Sequence, residues 1–150
     1  MSKRWGTPTW YFLHTIVEKM DNDHYEKIYP ELNNIISEIC NNLPCPYCKT
    51  DATKYIKKHD IHKIKTKDEM KNYLFRFHNV VNSKIRKKQA NIKILDLYKR
   101  AIFRNITRLF FFEFFRSSPM SRTFNSWQKR PLEIKIAKFI NANRKYIREL

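Results

Sequence analysis

The sequence predicts an all-α protein. Its 150 residues contain a single glycine, Gly6, and glycine is the usual turn residue of β-hairpins. Apolar residues recur at steps of three and four along most of the chain, which is the spacing of one helix face. The same scarcity of glycine excludes the glycine-rich phosphate loops of Rossmann and P-loop nucleotide sites.

Two helices are predicted before the closely spaced cysteine pair, Cys45 and Cys48. The first begins near Thr9, directly after Pro8. Its apolar face consists of Trp10, Leu13, Val17 and Met20. The second begins at Pro30 and is broken at Pro44, with Cys40 beside its apolar face. That face consists of Leu32, Ile35, Ile36, Ile39 and Leu43. Each helix can therefore cover one side of a common core.

A third helix is predicted from Pro46 to about Lys58, because proline is favoured at the first position of a helix. Cys45 and Cys48 then stand at the helix N-terminus. The inward side chains of this helix are Ala52, Tyr55 and Ile56. A polar, basic connector over residues 59–67 follows it.

Two more amphipathic segments complete a set of five helices. The fourth helix begins near Asp68, an acceptable N-cap or first-turn residue, and the fifth runs from Ile92 to about Phe103. The apolar stripe of the fourth consists of Met70, Leu74, Phe77, Val81 and Ile85. The buried side of the fifth consists of Ile94, Leu95, Tyr98 and Ile102.

The composition changes at about residue 106, which divides the chain into a helical domain over residues 1–106 and a basic extension over residues 107–150. The extension contains a phenylalanine run and a predicted helix at about Leu132–Ile147. The phenylalanines of the run are Phe110, Phe111, Phe112, Phe114 and Phe115. We expect them to pack in the core or between subunits, with contact to a membrane surface as the alternative.

The chain is strongly basic, with 31 lysines and arginines against 14 acidic residues and a net charge of +17. Such a field attracts nucleic acid, anionic lipid or acidic proteins without selecting among them, so charge alone names no partner. The N-terminus lacks the apolar region of a signal peptide, and no apolar run approaches the roughly 20 residues of a membrane-spanning helix. We expect neither a leader nor a transmembrane segment.

The stretch LPCPYC places Cys45 and Cys48 at the start of a helix, where the helix dipole stabilises a thiolate. That position favours disulfide exchange. A zinc site is the alternative, because His59 and His62 complete a C-x2-C-x10-H-x2-H pattern. The protein would then be a basic zinc-binding nucleic-acid module. A thioredoxin-type fold is excluded, since the residues before Cys45 have helical rather than strand periodicity.

Polar rings and amides form a second constellation on the first and fourth helices. Trp10 and His14 are four residues apart and share one helix face, and so do His78 and Asn82. Asn79 and Asn82 are three residues apart. Side chains of these types beside an apolar stripe can line a pocket for a heteroaromatic ligand.

Three stretches occur in the order RWGTPTWYFLHT, LPCPYC and YLFRFHNVVNSKIRKK, and cover about residues 4–100. Together they resemble the N-terminal W/G…W…LHT segment, the PCxxC and the W…HNxVNxxLxK segment of the Erv/ALR-type FAD-linked sulfhydryl oxidases. The single CxxC and the W-G-x-P-x-W start are most similar to the short forms encoded by large cytoplasmic DNA viruses. A structural adaptor with a degenerate oxidase fold, binding neither flavin nor metal, is a further alternative.

The resemblance implies a four-helix bundle with a short fifth helix, usually dimeric, that binds FAD beside the CxxC. It implies that a substrate thiolate attacks Cys45, that Cys48 lies next to the flavin, and that molecular oxygen takes the electrons and yields hydrogen peroxide. The implied FAD contacts are Arg4, Trp5, Gly6, Trp10, His14, Tyr73, His78, Asn79, Asn82, Lys84 and Lys87. The two lysines would face the phosphates.

The chain departs from the family pattern in three ways, the first of which is that the resemblance does not cover residues 107–150. Tyr73 stands where the family usually has tryptophan, which alters the aromatic wall of the FAD site. The second CxxC and the cysteine pair after the HNxVN segment, which many relatives carry, are absent. Electrons are therefore expected directly from a dithiol protein or a small thioredoxin-like carrier. The viral resemblance implies action in the host cytoplasm, at the viral factory, with the virion as a second location.

Overall fold

The computed structural model describes residues 4–120 and 124–149, and this part of the chain is helical. Its α-helices are α1 Gly6–Lys19, α2 Tyr25–Cys40, α3 Pro46–Lys58, α4 Lys67–Lys84, α5 Leu95–Arg100, α6 Phe103–Phe111 and α7 Ser126–Ala142. Short 3₁₀ segments lie at Asn22–His24, Ile61–Lys63, Ile92–Ile94 and Arg144–Tyr146, and a π-helical segment lies at Phe112–Arg116. The only extended pairing in this part of the chain is one bridge between Met20 and Ile147. The predicted all-α fold class is confirmed.

Helix α1 begins at Gly6, about one turn before the predicted start at Thr9. Thr9 itself holds the added turn, because its hydroxyl donates to the Trp5 carbonyl oxygen at 2.6 Å and its N–H donates to the same oxygen at 3.0 Å. Pro8 is tolerated in this first turn, where its missing N–H would have no helical acceptor.

Two prolines lie inside helices instead of marking their starts. The predicted start at Pro30 is wrong, since α2 begins at Tyr25, and burial of the Tyr25 side chain stabilises the turn that precedes the proline. The predicted helix at Leu132–Ile147 is also displaced, because α7 runs from Ser126 to Ala142 with Pro131 inside it. Its start is held by a capping box between Asn125 and Gln128. Each proline is the sixth residue of its helix, so it removes only one early backbone hydrogen bond.

Helix α3 has the predicted bounds, with Cys45 at the N-cap and Pro46 as its first residue. Helix α4 begins one residue before Asp68, because Thr66 caps it in a reciprocal capping box with Glu69. The predicted apolar stripe of α4 is correct for its first three members and wrong for Ile85, whose side chain is 48% exposed after the helix has ended.

The predicted fifth helix is divided. After a 3₁₀ turn at Ile92–Ile94, α5 ends at Arg100, and the extended backbone of Ala101 and Ile102 separates it from α6. Tyr98 is buried as predicted, whereas Ile102 is 57% exposed because it lies in the break. Phe103, expected at the end of the segment, instead starts α6 and is fully buried.

Side-chain contacts show that α4 runs antiparallel to both α1 and α3. From one end to the other, Lys71 pairs with Glu18 at 2.8 Å, and the His78 ring meets His14. On the other flank of α4 the contacts run from Tyr73 with His59, through Phe77 with Tyr55, to Lys84 with Asp51. The N-termini of α1 and α3 therefore lie at the same end of the bundle as the C-terminus of α4, and the CxxC lies at that end.

Residues beyond 106 pack into the same hydrophobic core as the first four helices. The Phe110 ring stacks on Phe12 of α1 at 4.2 Å, and Phe114 meets Trp5 edge-on at 6.3 Å. We call these packed rings the phenylalanine cluster. Its members are Phe12, Phe103, Phe110, Phe114, Phe115 and Phe124. Phe111 is partly buried against the core, while Phe112 is 52% exposed. The division of the chain into two domains at residue 106 stays a prediction. Residues on both sides of that position contribute to one hydrophobic core.

The final described residues form a strap along the end of α1. The N–H of Arg148 donates to the Lys19 carbonyl at 2.9 Å, and the N–H of Asp21 donates to the Tyr146 carbonyl at 2.7 Å. The buried Lys19 ammonium pairs with Glu149 at 2.5 Å. No helix within residues 4–120 and 124–149 is long and apolar enough to cross a membrane.

Candidate active site

The two cysteines of the CxxC occupy the first turn of α3. Cys45 has extended backbone angles at the N-cap, and its Sγ accepts a hydrogen bond from the Cys48 N–H at 3.3 Å. Pro46 presets the helical backbone between them. Both sulfurs are partly buried, while the Tyr47 side chain between them is 85% exposed. The motif therefore faces solvent on one side and the core on the other.

Trp10 and His14 of α1 come together with His78 of α4 between the two helices. The His78 ring lies parallel to the Trp10 indole, with centroids 4.1 Å apart and an interplanar angle of 6°. His14 Nε2 and His78 Nδ1 are 3.1 Å apart, so one of these nitrogens carries a hydrogen and donates a hydrogen bond to the other. Three side chains from two helices thus form one flat-sided assembly.

Burial keeps both histidines neutral. Desolvation, with a smaller effect of the neighbouring His78, lowers the pKa of His14 to about 3. Desolvation, together with the positive charge of Lys87, lowers the pKa of His78 to about 4. Burial also raises the pKa of the nearby Tyr98 to about 12. The rings in this part of the molecule therefore carry no charge at neutral pH.

These rings belong to a longer series that joins α3 to α5. Tyr55 of α3 stacks on Phe77 at 4.3 Å, Phe77 meets Trp10 edge-on at 5.3 Å, and Tyr98 of α5 stacks on His14 at 4.6 Å. We call this series the aromatic row. Its members are Tyr55, Phe77, Trp10, His78, His14 and Tyr98. The row begins on the helix whose first turn holds the CxxC.

Sequence reasoning assigned Tyr55, Phe77 and Tyr98 only to the core. Their spacing predicts an inward direction and contains no signal that distinguishes a packing ring from a site ring. The stacking of Tyr98 on His14 joins residues 84 positions apart, so only the packing of α5 on α1 brings them together.

Asn79 fixes the chain that follows α4. Its amide donates to the Ala90 carbonyl at 3.0 Å and its Oδ1 accepts the Ala90 N–H at 2.8 Å. The turn between them is tight, because Arg86 has a left-handed backbone with φ of 59° and the Lys87 N–H donates to the Asn82 carbonyl at 2.8 Å. Asn79 and Asn82 thus position the basic loop beside His78.

The two lysines proposed for phosphate contacts are exposed at this end of the bundle. Lys84 lies 3.4 Å from Asp51 of α3, which places its ammonium beside the helix that starts with the CxxC. Lys87 lies close enough to His78 to influence its pKa. Lys87 therefore brings positive charge to one side of the aromatic row, whereas the charge of Lys84 is paired with Asp51.

Four other residues singled out in the sequence are not members of the aromatic row. Tyr73 is buried, donates its hydroxyl hydrogen to the His59 carbonyl at 2.6 Å, and packs edge-on against Tyr55 and Phe77. Trp5 is buried against Phe114, and Gly6 opens α1. Arg4 is exposed.

The zinc alternative has no ligand set. No group of three or more histidine, cysteine or acidic side chains converges within the described ranges. Cys45 and His59 stand at opposite ends of the 13-residue α3, which separates them by about 20 Å. His59 instead packs its ring on Tyr55 at 4.6 Å.

Cys40 is not placed to exchange a disulfide with another chain. Its side chain is buried at the end of α2, and burial raises the pKa of its thiol to about 12. A buried neutral thiol is a poor nucleophile. An intermolecular disulfide through Cys40 would require the end of α2 to open.

Comparisons with known proteins agree on one family. The model of the Erv1 / Alr family matches residues 7–103 of the chain. A curated relative from Invertebrate iridescent virus 3, which bears the name FAD-linked sulfhydryl oxidase 096R, is 28% identical over 92 residues. That alignment covers 61% of this chain and 62% of the relative, so the chain spans less than two thirds of the relative's length. No solved structure is a significant match.

Proposed function

Because the chain belongs to the Erv1 / Alr family, we propose that it is an FAD-dependent thiol oxidase in which Cys45 and Cys48 form the redox-active disulfide. The observation that carries the proposal is that the CxxC opens α3 at the end of the bundle where α1 begins and α4 ends, and that the aromatic row meets the same helix at Tyr55, about two turns after Cys48. A redox-active sulfur pair needs an electron acceptor within reach, and a neutral aromatic surface suits a flat heteroaromatic cofactor.

The residues around the row fit FAD. The Trp10 and His78 rings are uncharged and stack directly on each other, so an adenine or isoalloxazine ring would pack against the outer surface of this pair. Lys84 and Lys87 supply positive charge for phosphates, and Asn79 orders the loop that carries Lys87. Tyr73 and Trp5 would act through packing, since both are buried against other aromatic rings.

The exchange step follows from the chemistry of the first turn of α3. A substrate thiolate attacks the Cys45 Sγ, a mixed disulfide forms, and Cys48 leaves as a thiolate that the helix N-terminus stabilises. The second substrate thiol then attacks the mixed disulfide. Cys45 leaves, its charge stabilised by the Cys48 N–H, and the substrate departs with a disulfide. Two electrons and two protons pass from the substrate to the cysteine pair.

Bound FAD would supply the acceptor for that electron pair and the means of passing it to molecular oxygen, which would give hydrogen peroxide. The protein keeps Trp10, His14 and His78 neutral and in place at the row, and it limits water there by packing α5 across α1. Substrate access remains on the exposed side of the CxxC, at Tyr47.

We further propose that a protein dithiol or a small thioredoxin-like carrier supplies the electrons, that the protein is a homodimer, and that it acts in the host cytoplasm and the virion. The exposed Tyr47 between the two cysteines leaves the first turn of α3 open to such a protein. Light scattering of the purified protein would measure its mass, and a monomer at micromolar concentration would remove the dimer from the proposal.

The decisive experiment is an anaerobic dithiothreitol titration of the purified protein, followed by admission of air. We expect a flavin spectrum that bleaches and then recovers with release of hydrogen peroxide. Cys45→Ser and Cys48→Ser should each reduce turnover at least about 100-fold with flavin retained. Cys40→Ala, which alters the buried third cysteine, should keep full turnover. A protein that takes up no FAD, or full turnover in both serine variants, would refute the proposal.

A further inference from the structure

A groove separate from the aromatic row runs between α6, the π-helical segment and α7. Its volume is about 540 Å³, which lies in the range of sites that bind small molecules and peptide segments. The family match ends at residue 103, so the groove is built from residues outside it. Nothing in the proposed thiol oxidation uses this surface.

The groove has an apolar wall on each side. Phe111 from α6 is partly buried against the core and contributes one wall. Ile134 and Ala137, one turn apart on α7, contribute the other, and the Ile134 side chain is exposed. An occupant with an apolar side chain would remove this surface from water, a gain of about 25 cal/mol for each Å² buried.

Arginines surround the groove. Arg108 and Arg130 are exposed and form no ion pair with any residue in the described ranges. Arg116 donates a hydrogen bond to Glu133 at 3.4 Å, so these two charges form an ion pair. Three guanidinium groups thus face one carboxylate. Because guanidinium binds carboxylate in a planar, bidentate manner, the groove is complementary to acidic side chains.

A buried hydroxyl also lines the groove. The Thr107 Oγ1 atom is buried and has no hydrogen-bond partner among the residues that the structure describes. The π-helical segment that follows α6 carries Arg116 and widens the backbone turn at this point.

We propose that this groove binds an acidic peptide segment of a partner protein, with an apolar side chain between Phe111 and Ile134 and carboxylates at Arg108 and Arg130. The Glu133 carboxylate favours a peptide over a phosphate headgroup, because a peptide backbone offers N–H groups to this carboxylate whereas a phosphate repels it. The groove serves to recruit a partner and contributes no atom to electron transfer.

The test is a selection of random peptides displayed on phage against the full-length, FAD-loaded protein. Selected peptides are then labelled with fluorescein, and their binding is measured by fluorescence polarisation. Arg108→Glu combined with Arg130→Glu reverses two groove charges. The matched control, Lys63→Glu combined with Arg144→Glu, changes the net charge equally at exposed positions that do not line the groove. Ala137→Trp fills the groove without altering charge.

We expect peptides that contain aspartate or glutamate together with a large apolar residue. The arginine double variant and Ala137→Trp should each weaken binding at least tenfold, whereas the control should weaken it less than twofold. Dithiothreitol oxidation should be unchanged in all three variants, so failure of this proposal is distinguishable from failure of the thiol oxidase proposal. Melting curves would establish that each variant is folded.

Three results would overturn the assignment. The first is a selection that enriches no peptide, or only peptides without acidic residues. The second is equal loss of binding in the control and the arginine variant, which would mean that net charge alone attracts the peptides. The third is binding of phosphatidylserine vesicles that depends on Arg108 and Arg130 while peptides do not bind, which would make the groove a lipid site.

Discussion

The aromatic row and the phenylalanine cluster have similar distances between neighbouring ring centroids, yet their side chains differ in chemistry and in burial. The phenylalanine cluster contains hydrocarbon alone, and Phe12, Phe110 and Phe114 are fully buried. The row contains two histidines with lowered pKa values, and Trp10 at its centre remains partly exposed. Full burial of hydrocarbon stabilises a fold, whereas partly open, neutral polar rings are suited to hold a ligand. Substitutions in the two regions should therefore differ in whether they alter stability or cofactor affinity.

The largest effect is expected from Phe110→Ala. Removing a fully buried phenylalanine leaves a cavity and should lower the free energy of unfolding by about 3–5 kcal/mol. Phe112→Ala, at the exposed ring of the same run, should change it by less than about 0.5 kcal/mol. Urea unfolding measures both. A loss below about 1 kcal/mol for Phe110→Ala would mean that the residues after 106 are not part of the core.

Trp10→Ala should act mainly on the cofactor. Loss of the ring that stacks on His78 should weaken FAD binding at least tenfold, equivalent to about 1.4 kcal/mol. Flavin fluorescence titration measures this affinity. Trp127→Ala is the matched control, because that indole is 86% exposed on α7. Equal affinity in the two variants would remove Trp10 from the site.

Lowering the pH should destabilise the folded protein, because the two buried histidines of the aromatic row are neutral when folded. The folded pKa values of His14 and His78 lie below the usual value of about 6.5, so the unfolded state binds more protons between about pH 6.5 and pH 3–4. Stability is therefore complete above about pH 6.5 and declines as the pH falls through that window. The decline amounts to at most about 1.4 kcal/mol per pH unit for each histidine.

His14→Gln should make this pH dependence shallower, as measured by melting temperature between pH 7 and pH 4. His62→Gln, at an exposed histidine outside the row, should leave the profile unchanged. An identical acid profile in the wild-type protein and the His14 variant would contradict the burial of a neutral His14.

The smallest effect is expected from Tyr73→Phe. This change removes the hydrogen bond to the His59 carbonyl and should lower the free energy of unfolding by about 1 kcal/mol. FAD affinity should remain the same, because the ring still packs on Phe77 and Tyr55. A loss of FAD affinity without a loss of stability would place the Tyr73 hydroxyl in the cofactor site.

Much of the local structure follows from the amino-acid order. Pro46 and the cysteines specify the start of α3, and the i, i+4 spacing of Trp10 and His14 puts both on one face of α1. The errors arise where burial opposes a local preference. Pro30 and Pro131 lie inside helices because the burial of Tyr25 and the capping box at Asn125 stabilise the turns before them.

The sequence by itself determined the helical class, the helix-terminal CxxC, the family and the residue types of the site, because these depend on spacing within one or two helices. Only the tertiary structure decided that Tyr98 stacks on His14 and that His14 forms a hydrogen bond with His78. It alone decided that Phe110 fills the core beside Phe12. It also decided that arginines from α6 and α7 face one groove. Helical periodicity sets the direction of a side chain, whereas its neighbour depends on which helices pack together.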